Sequence, residues 1–119
     1  MRVTALLFNP PGRGEFLRKH FDMPDDAMPK SPEEFATRSR KAVDYFWPKA
    51  FASKGVTLDK CDGGKRYVVE GKDWSVEWAT DEHVAEMREL MKGYMEGEIY
   101  SDAFLDSMMK VQPTERIEL

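Results

Sequence analysis

The segment from Gly55 to Thr80 constrains this chain more than any other, because it holds two hairpin turns whose spacing fixes a register. Asp62-Gly63-Gly64-Lys65 and Glu70-Gly71-Lys72-Asp73 each supply glycine where a tight turn needs a positive φ. With two-residue turns at Gly63-Gly64 and Gly71-Lys72, Leu58 lies opposite Val69 and Lys60 opposite Tyr67. Val69 then faces Trp74, and Tyr67 faces Val76. Opposed residues share a face, so one face is predicted to carry Val56, Leu58, Tyr67, Val69, Trp74, Val76 and Trp78. The other carries Thr57, Asp59, Cys61, Arg66, Val68, Glu70, Ser75 and Glu77, with Arg66 opposite Glu77. A slip of one residue would scatter both patterns. So short a meander is not stable alone in water, and its aromatic face requires helices over it.

The remaining sequence supplies them. Val3 to Phe8 is β-prone and stops at Asn9-Pro10-Pro11-Gly12, predicting a short strand at the meander's edge. Gly14 to Asp22 has helical composition, with Phe16, Leu17, His20 and Phe21 on one side and Met23-Pro24 as its stop. Ser31-Pro32-Glu33-Glu34 starts a long helix: Ser31 caps, Pro32 takes the first helical position and Glu34 completes a capping box. Its stripe is Phe35, Ser39, Ala42, Val43, Phe46 and Trp47, and Pro48 ends or kinks it. Thr80 or Asp81 caps a second long helix lined by Val84, Met87, Leu90, Met91, Tyr94 and Met95, ending at Gly97. Ser101 caps a third, to about Val111. The tail from Thr114 to Leu119 reads as disorder or, through Ile117 and Leu119, as a final edge strand. The expected fold is α+β: a small antiparallel meander of three strands, four or five with the terminal segments, packed on one face by three to four helices in a single domain of residues 1–119.

Charge and cysteine content narrow the function. A net charge of −4 offers no positive field for a phosphate backbone, so direct nucleic-acid binding is not expected. The single cysteine, Cys61, excludes an intrachain disulfide and a thiolate zinc cage and suits a reducing, cytoplasmic setting. No apolar run has the length of a membrane span, and the one at the N-terminus is too short for a signal peptide.

No motif assembles a catalytic set. His83 and Glu86 lie three apart on a helix, but only His20 remains to complete a metal site, so neither a metal nor a cofactor is expected. Cys61 beside Arg66 has no histidine near it in sequence to serve as a base. The leading expectation is therefore a non-enzymatic interaction protein, an adaptor, regulator or inhibitor docking on a larger protein. Its candidate surfaces are the acidic residues Asp59, Glu70, Asp73 and Glu77 and the methionine ridge Met87, Met91 and Met95, which would also suit a homodimer. Arg38, Arg40 and Lys41, set among Glu33, Glu34 and Asp44, read as plain helix surface. The alternatives are a small-molecule or nucleotide site in the loop Gly12-Arg13-Gly14, and an acidic mimic that competes with nucleic acid for a partner.

Overall fold

The computed structural model describes residues 1–7, 17–47, 55–95 and 113–119, with the backbone alone for Leu17 and for residues 91–95. Six strands form one antiparallel sheet: β1 (Arg2–Leu7), β2 (Leu17–Asp22), β3 (Thr57–Cys61), β4 (Arg66–Glu70), β5 (Trp74–Ala79) and β6 (Glu115–Glu118). Their order is β2-β1-β5-β4-β3-β6. Two α-helices accompany them among the described residues, α1 (Pro32–Phe46) and α2 (Asp81–Met95). The class is α+β as expected, with more strands and, among the described residues, fewer helices. The third helix expected from Ser101 falls outside the described residues.

The meander forms, and its faces are those predicted. Leu58 pairs with Val69 and Lys60 with Tyr67. The turn itself is a 3-10 turn, Asp62–Gly64, in which Asp62, Gly63 and Gly64 all have positive φ. The second hairpin differs. Val69 pairs with Val76 and Tyr67 with Trp78, two residues from the expected register. Gly71 does not adopt a positive φ; its amide donates to the Trp74 carbonyl at 2.9 Å and closes a longer loop. A two-residue shift leaves every side chain on its face, so the face pattern alone does not distinguish the two registers.

β1 joins the meander at its β5 edge, as expected, and is itself covered on its other side by β2. A correction concerns the segment that supplies β2. Residues 17–22, expected to be helical, form that outer strand. Leu17, Lys19 and Phe21 alternate as readily as they fit a helix, and the exposed N–H and C=O groups of β1 offer six residues of ladder, which local helix propensity does not match. At the opposite edge the tail takes its strand alternative, with Ile117 opposite Leu58.

A row of side chains therefore crosses all six strands: Ile117, Leu58, Val69, Val76, Ala5 and Lys19. The adjacent row contains Tyr67, Trp78, Val3 and Phe21. α1 covers this face with Phe35, Ser39 and Val43. Phe35 stacks on Tyr67 at 4.8 Å and meets the edge of Trp78 at 6.0 Å. The Trp78 indole N–H donates to Ser39 Oγ at 2.9 Å, satisfying the only polar atom that the ring brings into the core. α1 begins as its sequence specifies, with Ser31 Oγ accepting the Glu34 amide at 3.2 Å, and ends at Phe46, ahead of Pro48. α2 is capped by Thr80, whose hydroxyl accepts the His83 amide at 3.3 Å, and it leans over the opposite, more polar face. The Met1 ammonium ties both faces together, donating to the Met23 carbonyl and to the carboxylates of Asp25 and Asp81.

Candidate functional site

The C-terminal half of α1 overhangs the β2 side of the sheet and encloses a groove. Three consecutive aromatics, Tyr45, Phe46 and Trp47, end the helix, and at about 100° per residue they cannot all face one sheet. Phe46 turns inward to Phe21 at 6.1 Å between ring centroids, with Trp47 beside it at 6.0 Å. Tyr45 sets its ring edge-on to Phe46 at 5.2 Å and is 80% exposed. Between Phe21, Met23 and Trp78 below and Arg38, Lys41, Ala42, Tyr45 and Phe46 above lies a space of about 480 Å³.

Its electrostatics differ from those of the chain as a whole. Two of the eight lining residues are cationic and none is acidic, although the chain carries −4. Arg38 is held in place: its guanidinium lies 5.1 Å over the Trp78 ring, donates to the Ala27 carbonyl and approaches Glu34 at 3.7 Å. Lys41, one turn later, is exposed. The groove thus offers apolar walls with two cations at its rim, Arg38 paired to Glu34, and Lys41 exposed. It can take an apolar anchor flanked by carboxylates.

The residues singled out from sequence are placed elsewhere. Asp59, Glu70 and Glu77 do share the sheet face opposite α1, but the negative patch is largely neutralised. Asp59 is buried and accepts two hydrogen bonds from Arg116 of β6, at 2.8 and 3.3 Å. Glu77 lies 3.4 Å from Arg66. Glu70 is exposed and Asp73 half-buried in the β4–β5 loop. Met87 is half-buried over the same face; the side chains of Met91 and Met95, and the loop Gly12-Arg13-Gly14, lie outside the described residues. Arg40 and Lys41 lie on the exposed surface of α1 as expected, and Arg38 and Lys41 line the groove as well. The missed signal was the Tyr45-Phe46-Trp47 run, which exceeds one buried stripe.

Cys61 is buried at the end of β3, and burial pushes its thiol above the usual range despite the nearby Arg66. That opposes a nucleophilic role. Among the described residues no three His, Cys, Asp or Glu side chains gather as a metal site, and no helix is long and apolar enough to cross a membrane. Comparison with protein-family models, with curated proteins and with solved structures finds no match to this chain.

Proposed function

We propose that this protein is an interaction module that binds a short acidic segment of a partner protein, seating one aromatic or aliphatic anchor of that segment in the α1–β2 groove. The observation that supports it is the pairing of an open apolar groove with a lining that is cationic wherever it is charged, in a chain whose net charge is negative. Tyr45 is the chief source of affinity. Covering roughly 100 Å² of an exposed aromatic ring contributes about 2.5 kcal/mol, within the range of an interface hot spot. Lys41 favours carboxylates beside the anchor and disfavours basic sequences, which gives selectivity more than strength.

The test uses labelled short peptides in which a single Trp, Phe or Leu is flanked by Asp and Glu, together with the same peptides flanked by Lys, followed by fluorescence polarisation. The acidic set is expected to bind, to weaken with added salt, and to lose at least about tenfold in affinity in Tyr45→Ala and in Lys41→Glu. Equal binding by the lysine set, or no binding by either, would overturn the proposal.

A further inference from the structure

A second cavity lies on the other side of the sheet, beneath α2. It is formed by pairing that the sequence does not reveal. Ala79 of β5 stands between Arg66 of β4 and Arg2 of β1 in one cross-strand row. Two guanidinium-bearing residues thus flank a small, fully buried side chain on one face, their backbones roughly 10 Å apart. α2 roofs this part of the face with His83, Met87 and Leu90, and the cleft they form with Arg2 and Arg66 is about 450 Å³.

Three buried nitrogens in the described structure have no hydrogen-bond partner: Arg2 Nε, Arg66 Nε and His83 Nδ1. All three belong to residues lining this one cleft. Unpaired buried polar atoms are costly, and the two guanidinium Nε–H groups are donors, so their gathering with an imidazole nitrogen at one place suits an incoming acceptor. His83, only 9% exposed, is well enough buried for the cost to be large. The nearest carboxylate, Asp62, lies 3.7 Å from His83 Nδ1 and 3.8 Å from Arg66 Nε, beyond hydrogen-bond reach of both.

Charge decides what kind of acceptor fits. Lys65 is engaged by Glu82 at 3.2 Å and Glu86 at 2.7 Å, which holds the Glu86 carboxyl below its ordinary value. Arg66 stands between Asp62 and Glu77. Arg2 makes no ion pair among the described residues. The lining sets Arg2, Lys65 and Arg66 against Asp62, Glu77 and Glu86, so there is no net positive field to hold a dianion such as phosphate; the cleft offers directed donors and one cation, Arg2, which stands opposite Asp22 of β2 outside the ion pairs of the described residues. A single carboxylate matches that set, since its two oxygens accept guanidinium N–H groups in the plane of the fork. Met87 and Leu90 add an apolar wall beside the donors.

We infer that the cleft beneath α2 is a binding site for a small monocarboxylic acid carrying an apolar chain, its carboxylate held by Arg2, Arg66 and His83 and its chain laid along Met87 and Leu90. The site is distinct from the α1–β2 groove, so either can stand without the other. The experiment is a titration of the full isotope-labelled chain with sodium octanoate, reading the side-chain Nε–H resonances of Arg2 and Arg66 and the His83 imidazole. Octanol and inorganic phosphate serve as parallel probes. Octanoate should saturate and shift all three groups, Arg2→Ala should weaken it at least about tenfold, Arg2→Lys less, and Met87→Glu should abolish it with backbone resonances otherwise retained. Retention of full affinity in both Arg2→Ala and Met87→Glu would overturn the assignment. So would equal binding of octanol, which needs no carboxylate, or of phosphate, which needs no chain, and so would the absence of any saturable shift.

Discussion

Replacing Ser39 by Ala tests how the core is held together at its polar point. Ser39 and Trp78 are both buried, at 0% and 2% exposure, and the indole N–H has Ser39 Oγ as its acceptor at 2.9 Å. Alanine removes that acceptor and leaves a buried N–H unsatisfied, a cost of roughly 1–3 kcal/mol. Two terms oppose it: alanine is the better helix former by about 0.5 kcal/mol, and the lost hydroxyl need not be desolvated. The net expectation is a destabilisation of about 1.5 kcal/mol, which for a chain of 119 residues lowers Tm by roughly 5 °C. Urea unfolding followed by Trp fluorescence measures it directly. A double-mutant cycle with Trp78→Phe isolates the hydrogen bond, because Phe keeps most of the ring while removing the donor. In that background Ser39→Ala should cost close to nothing, or help. If Ser39→Ala alone is as stable as the parent, or costs the same with Phe at 78, then the hydrogen bond does not carry the stability assigned to it.

Three further outcomes are expected. Burial opposes the charged Met1 ammonium, but hydrogen bonds to Asp81 and Asp25 outweigh it and raise its pKa above 8.0, while the same contact lowers the Asp25 carboxyl below 3.8. The ammonium's contribution is therefore complete below pH 8 and is lost as pH rises through its raised value. The Asp25 contribution is present above pH 3.8 and is lost on acidification, so Tm measured against pH should fall at both ends and Asp25→Asn should flatten both slopes. Gly64→Ala should cost about 2 kcal/mol and Gly63→Ala about 1 kcal/mol by urea unfolding, since both have positive φ but only at Gly64 would a Cβ meet neighbours, at 3.3 Å from Lys60 and Tyr67. Cys61 should resist alkylation at pH 8 in the folded chain and react fully in urea, because burial holds its thiol protonated and covered.

Much of the meander was legible because its information is local. Alternation assigns faces, and Gly63-Gly64 pins the first hairpin, where register and turn agree. The second register was not legible, since faces repeat every two residues and Gly71 need not be left-handed. The groove was half legible. Its helix and cap follow from Ser31 to Glu34, and its aromatics are plain in the sequence, but which of Tyr45, Phe46 and Trp47 would remain outside depends on where Phe21 comes to lie. Phe21 was assigned to a helix, and only pairing with β1 moved it into a strand beneath α1.

The sequence by itself determined the α+β class, the polar and apolar faces of the central strands, and the start of α1, all consequences of periodicity and capping within a few residues. The tertiary structure alone decided which strands extend the meander beyond its own three. That choice made a strand of residues 17–22, drew Arg116 onto Asp59, and set Arg2 and Arg66 on either side of Ala79. The reason is physical: backbone groups along a strand edge must find partners, and the segment that supplies them can lie anywhere in the chain.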